Sequence, residues 1–290
     1  LGYVAIPGFA NNVDVSGNYA YVAAGATGLQ VVDVTDRRNP RVVAALDTPG
    51  NADDVKVVGS LAYIADGPAG LRILGVANPL APVLVGVVDT PGDAQDVVIV
   101  GTYAYVADGA SGLQIVDIST PTAPRIVNSV STLGTANGVD VRENLAVVAN
   151  GSRGIVTVDV TDPTHPSVLA TFSYGGNALD VVLHNNFAFV ADYSRSFTSI
   201  ELTDPQNPVV RGSTPQPTGG LLRDVAVSGR FAFGADVYFV NGIPIIDIAN
   251  PANPVPRAIL DFRNFRDDNG SGIAVDNSYV YLTADLALTE

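Results

Sequence analysis

Four aspartates, Asp54, Asp96, Asp180 and Asp224, each open an apolar run, and Asp66, Asp108 and Asp192 each close the run that follows. Carboxylates recurring in this way can do two kinds of chemistry. Converging on one point, they supply the oxygen ligands that a hard cation such as calcium takes. A pair about 5 to 10 Å apart could instead act as acid and base in glycoside cleavage. Standing apart, each accepts backbone N–H groups in its own turn, as Asp does at strand ends. Recurrence favours the turn role, because a turn motif repeats with the fold and a single site does not. Calcium stays as the alternative. Its ligands would be Asp54, Asp96, Asp180 and Asp224, joined by Asp267 and Asp268 of the oxygen-rich stretch Asp267-Asp268-Asn269-Gly270-Ser271. That stretch lacks the spacing and terminal Glu of an EF-hand loop. A third acidic series, Asp33, Asp117, Asp159, Glu201 and Asp247, is read as structural for the same reason.

Another group stands outside any repetition. Tyr193, Arg195, Arg223, Tyr238, Phe262, Arg263, Phe265 and Arg266 occupy segments that are longer than, or different from, their equivalents elsewhere in the chain. Aromatic planes flanked by Arg suit sugar rings, peptide anchors or acidic groups. This sector is therefore the expected binding surface, with a protein or carbohydrate as ligand. The competing structural reading is that Phe262 and Phe265 cover a joint while the Arg residues solvate its rim. The only histidines, His165 and His184, fall in turns expected on the opposite face, which argues against a His-assisted Ser nucleophile or a His-ligated metal in this sector. Cysteine is absent, which removes disulfides, Cys-ligated zinc and a Cys nucleophile. The glycine pairs, such as Gly109 and Gly112, lie between strands and do not lead into a helix, so they are turn glycines, not phosphate cradles.

Composition narrows the partners. A net charge of −14 repels phosphate backbones and anionic headgroups, so nucleic acid and membrane surfaces are not expected partners. No apolar run approaches the roughly 18 to 20 residues of a membrane helix. The chain opens at Leu1 with neither a basic n-region nor an apolar h-region, as a mature or trimmed product would.

These residues are positioned by a repeat. Equivalent runs start at Asn12, Asp54, Asp96, Gly138, Asp180, Asp224 and Gly272, at spacings of 42 four times, then 44 and 48. The proline before the fourth run gives a second ruler, at Pro40, Pro82, Pro124, Pro166, Pro208 and Pro254. Each unit reads as four antiparallel strands, in the third unit roughly Asp96 to Gly101, Tyr103 to Asp108, Leu113 to Ile118 and Pro124 to Ser131. Seven such units predict an all-β chain, 1–290, forming a single seven-bladed β-propeller of four-stranded antiparallel blades. Its last blade, from Gly272, is expected to be closed by the N-terminal strand, because Tyr3 to Gly8 resembles Ala45 to Gly50 and only Leu286 to Glu290 remains for a third strand. Strands alternate in direction, so the strand 2–3 and strand 4–1 loops share one face, the top. The insertions fall there, over blades 5 to 7.

Gly-Leu-Gln-Ile-Val-Asp-Ile at 112–118, Gly-Leu-Gln-Val-Val-Asp-Val at 28–34 and Ile-Pro-Ile-Ile-Asp-Ile at 243–248 resemble the signature of the LVIVD-repeat family. The resemblance covers essentially the whole chain, and blade 5 departs most, with Phe197 to Leu202 in place of the signature. It implies a propeller that is secreted or held at the cell surface, and the clustered insertions together with the lack of a catalytic constellation point to one that works by binding. The alternatives are a polysaccharide hydrolase or lyase using rim carboxylates, and a subunit of a larger extracellular assembly.

Overall fold

The computed structural model describes residues 2–194, 196–214, 221–236, 243–260, 269–276 and 279–285. Among them the chain is an all-β propeller of six four-stranded antiparallel blades plus one two-stranded sheet. Blade 3 shows why the strands fall where they do. Its strands, Asp96–Val100, Tyr103–Ala107, Leu113–Asp117 and Arg125–Val130, are rich in β-branched and aromatic residues. The first two meet across Gly101 and Thr102, with φ of 59° at Gly101, so the residue that needs a left-handed backbone is the one without a Cβ. A one-residue bulge interrupts the strand 3–4 pairing at the same register in all six blades.

The seventh blade of the sequence reading is not formed. Asn269–Asp276 and Tyr279–Asp285 make a hairpin of two strands only. The expected third strand, 286–290, lies outside the described residues. The expected closing strand is absent as well, since residues 2–11 contain no strand. The reason is local: Pro7 has no N–H to give a ladder, and Gly8 turns the chain at φ 82°. The segment instead lies along blade 1. Thr27 Oγ1 donates to the Pro7 carbonyl at 2.9 Å, and a Cβ on Gly2 would stand 2.3 Å from the Arg37 carbonyl oxygen. Pro7-Gly8 therefore repeats what Pro49-Gly50 does at a blade joint, where a Cβ on Gly50 would meet the Asp66 carbonyl oxygen at 1.9 Å. The similarity read in the sequence belongs to the joint and not to a paired strand.

The blades form two compact units, Leu1–Ser131 with blades 1 to 3 and Thr132–Glu290 with blades 4 to 6 and the hairpin. Within each, the core lies between successive blades. In the first unit, Leu29 and Val31 of blade 1 pack with Val55, Ile64 and Leu74 of blade 2. In the second, Phe189 and Phe197 of blade 5 stack at 5.5 Å and join Leu222 and Val225 of blade 6. Alanines in the second strands, such as Ala62, Ala104 and Ala188, are fully buried and let adjacent sheets approach.

Candidate functional site

In blades 1, 2, 4, 5 and 6 strand 1 carries one carboxylate that reaches its successor. Asp54 Oδ2 accepts the Val97 N–H at 3.0 Å, Asp180 Oδ2 the Val225 N–H at 3.1 Å and Asp224 Oδ2 the Ile273 N–H at 2.7 Å. Asp54 is 2% exposed, and its other oxygen accepts Asn12 Nδ2 at 2.7 Å. The rim carboxylates are latches between neighbouring blades, a role the sequence reading missed when it gave each Asp to its own turn. Asp96 opens strand 1 of blade 3, opposite Ala107.

Two latches went unrecognised because they sit two residues further on. Where blade 1 has Asn12 and blade 4 has Gly138, Asp14 Oδ2 takes the Val57 N–H and Asp140 Oδ2 the Leu183 N–H, each at 2.7 Å. Gly138 is needed for space, since a Cβ there would stand 2.8 Å from Asp180 Oδ1. The sequence held the signal: an Asp appears at the alternate position in the two blades that lack the first.

The carboxylates ending strand 2 clamp the incoming loop from the preceding blade. Asp66 accepts Thr48 Oγ1 at 2.5 Å and the Gly50 N–H at 3.1 Å, and Asp108 accepts Thr90 Oγ1 at 2.6 Å and the Gly92 N–H at 2.9 Å. Burial pushes the Asp108 carboxyl up from its ordinary value, against the pull of the Thr90 and Gly92 bonds. Asp192 accepts the Asn177 and Ser194 N–H groups at 3.0 and 2.7 Å. The strand-3 acids close turns. Asp117 is held at about 2 by the Ser119 hydroxyl and N–H and by Arg125, and Asp247 at about 2 by Arg230 above all, with the Ala249 N–H and Arg257.

Of the expected binding sector, Tyr193 and Arg223 are described, and the structure places them at one end of blades 5 and 6. Asp180 lies opposite Ala191 in its own blade and bonds Val225 in the next. Tyr193, two residues past Ala191, and Arg223, two before Val225, therefore emerge together. Tyr193 is 43% exposed, with its N–H fixed on the Asn177 carbonyl at 2.9 Å. Arg223 is the extra residue of a bulge between Leu222 and Asp224, and it is exposed. Its register, one residue before the latch position, is occupied by Asn11, Asp53, Gln95, Asn137, Leu179 and Ser271 in the other units. Arg195, Tyr238, Phe262, Arg263, Phe265 and Arg266, and with them Asp267 and Asp268, lie outside the described residues.

His165 sits in an exposed turn with Nδ1 2.9 Å from Asp162 Oδ2. Among the described residues no group of three or more His, Asp or Glu is gathered as a metal ion would require. No helix among them is long and apolar enough to cross a membrane.

The fold resembles those of solved propellers that share little sequence. The β-propeller domain of Cps50 (Swd1) from Myceliophteria thermophila is 11% identical, with 98% of this chain and 95% of that one covered and a TM-score of 0.73. The computationally designed protein Ika8 is 9% identical over 94% of this chain and 80% of its own, with a TM-score of 0.69. The N-terminal domain of Nup159 is 14% identical over 96% and 88%, with a TM-score of 0.61. At these identities the likeness speaks for the fold alone. No curated protein matches the chain in sequence. The LVIVD repeat model matches six times, at residues 7–48, 49–90, 91–132, 133–173, 175–214 and 219–259, one match to each four-stranded blade. The chain belongs to the LVIVD-repeat family.

Proposed function

We propose that this chain is a secreted or cell-surface binding propeller that takes a protein or carbohydrate ligand on the top-face sector of blades 5 and 6 and the hairpin that follows them. The observation that carries the reading is Arg223. Its neighbours Leu222 and Asp224 are committed to pairing and to the latch, while the bulge leaves the Arg side chain exposed at the same end of the blades as the exposed Tyr193. An exposed Arg and an exposed aromatic at the same sheet end are the kinds of anchor that interfaces use. The carboxylates that a glycosidase reading would recruit are engaged with backbone N–H groups, which is why binding is preferred over cleavage. The test is the double variant Tyr193→Ala/Arg223→Ala against glycan and protein arrays. At least a tenfold loss of affinity for the ligand so identified is expected, with Arg38→Ala, in an exposed turn of blade 1, as the control. Affinity unchanged in the double variant would sink the assignment.

The assembly reading has one observation in its favour. Val83, Leu84 and Val87 of the edge strand of blade 2, at 56%, 59% and 44% exposure, and Leu80 of the turn before it, at 57%, lie outside the top sector. If that edge mediates self-association, Leu84→Glu will shift the sedimentation velocity profile to smaller species. An unchanged profile removes this reading.

A further inference from the structure

The strand 1–2 turns of the six blades are two residues long, and the first residue of each has a positive φ. In four blades it is glycine: Gly17, Gly59, Gly101 and Gly229, with φ of 62°, 62°, 59° and 58°. Blades 4 and 5 depart, with Glu143 at 55° and Asn185 at 54°. Asn tolerates this backbone, whereas Glu is strained there, and glycine at 143 would relieve the strain at no loss to the turn. A strained residue kept where the repeat offers an unstrained one points to its side chain.

The two departing turns are neighbours. Arg142 Nη1 donates to the Asn185 carbonyl at 3.1 Å, and both turns line one open groove of about 340 Å³ between blades 4 and 5. The groove exists because a ring is missing. Leu145 begins strand 2 of blade 4 where blades 1, 3, 5 and 6 have Tyr19, Tyr103, Phe187 and Phe231. Blade 2 also has an aliphatic residue there, Leu61, but keeps Gly59 in its turn. Only between blades 4 and 5 do the missing ring and two turns bearing side chains coincide.

The lining defines the ligand. Leu145, Leu169, Leu183 and Leu202 offer an apolar floor. Above it stand one guanidinium, Arg142, two carboxylates, Glu143 and Asp159, and the amides of Asn144, Asn185 and Asn186. One positive and two negative groups leave the rim at −1, which opposes an anion, as does the −14 of the whole chain. Closely set donors and acceptors match vicinal hydroxyls, each of which both donates and accepts. The size is at the lower end of the roughly 300–1,000 Å³ of ligand sites. We infer that this groove binds a neutral sugar, one or two rings in extent, with its C–H face on the leucines and its hydroxyls on the Arg142–Asn144 and Asn185–Asn186 turns.

The full chain is titrated with glucose, galactose, mannose, xylose, N-acetylglucosamine, cellobiose and chitobiose, and with glucuronate, by saturation-transfer NMR and calorimetry. At least one neutral sugar is expected to bind saturably and more tightly than glucuronate. Leu145→Phe, which copies Phe187 of blade 5, should abolish that binding by filling the groove. Glu143→Gly, which copies four other blades, should raise Tm and weaken binding at least fivefold. Arg38→Ala, in an exposed turn of blade 1, should leave it unchanged, since that residue lies outside the groove. The inference is overturned if no neutral sugar saturates, if glucuronate binds more tightly, if binding survives Leu145→Phe, or if Glu143→Gly leaves affinity intact. Glu143→Gly keeps the test decisive even if Leu145→Phe fails to fold.

Discussion

Replacing Asp54 by alanine tests the latch directly. Asp54 is 2% exposed and holds two donors: the N–H of Val97, a fully buried residue of the next blade, and the side-chain amide of the half-buried Asn12. A hydrogen bond to a charged group contributes about 2 kcal/mol, and the truncated side chain also strands the buried N–H without water. Counting about 2 kcal/mol for the Val97 bond and about 1 for the less buried Asn12 bond gives a loss near 3 kcal/mol. If the chain of 290 residues unfolds cooperatively, with about 2.1 cal/mol/K per residue, the melting temperature should fall by about 5 °C. Asp54→Asn keeps an acceptor for Val97 but sets one amide NH₂ against that of Asn12, so about 1 kcal/mol is expected. The assay is urea and thermal unfolding followed by circular dichroism, run in EDTA and again in calcium. A latch predicts the same loss in both. The reasoning fails if Asp54→Ala melts within about 1 °C of the parent, or if its defect exists only in calcium, which would make Asp54 a metal ligand.

Gly50→Ala should cost about 3 kcal/mol by denaturant titration, because its Cβ would meet the Asp66 carbonyl oxygen at 1.9 Å and the Ala69 Cβ at 2.8 Å. Gly59→Ala, with nothing within 4 Å but a φ of 62°, should cost only about 1 kcal/mol; equal losses would refute the close-approach argument. Stability should fall as pH drops from about 4 towards 2: Asp117, Asp162 and Asp247 are held at about 2 against an ordinary 3.8, so the folded chain binds fewer protons than the unfolded one in that window. The raised carboxyl of Asp108 acts in the opposite sense and at higher pH, its contribution being complete below about 3.8 and lost as pH rises above it, so urea midpoints that do not fall between about pH 4 and 2 would refute the assignment to the turn carboxylates.

The blades were legible because two kinds of periodicity coincide in each: alternation within strands, and Gly or Pro at fixed offsets between them. The closure was misread because Tyr3 to Pro7 shares composition with a fourth strand, and composition does not record which N–H groups find partners. The joint glycine at position 8 was the legible part of that resemblance. The latches were invisible for another reason. The partner of Asp54 is Val97, 43 residues on, and nothing in the local sequence says whether a carboxylate bonds its own turn or the next blade. Of the aromatic and Arg sector, the insertions were legible as departures from the repeat, and the structure brings Tyr193 and Arg223 of it to one end of adjacent blades.

The latch also explains where such a repeat can vary. Asp180 and Asp224 fix the start of the following strand through its backbone, and a backbone N–H is indifferent to the side chain beside it. The residue just before the latch can then be Leu179, Arg223 or Ser271 without disturbing the pairing on either side. Variation is not equally free at every copy, since the Asn11 and Asn137 amides bond the Ala52 and Ala178 carbonyls at 3.0 and 2.9 Å and so help to hold the next blade. Arg223, exposed and on a bulge, has no such bond to a backbone carbonyl among those described, so its substitution should change recognition with little effect on folding. At the opposite end, the first residue of the strand 1–2 turn offers a second variable position, but one with a conformational cost for any side chain. The two positions therefore report differently: a residue like Arg223 carries no conformational cost, whereas one like Glu143 works against the backbone, which makes it the stronger pointer to use.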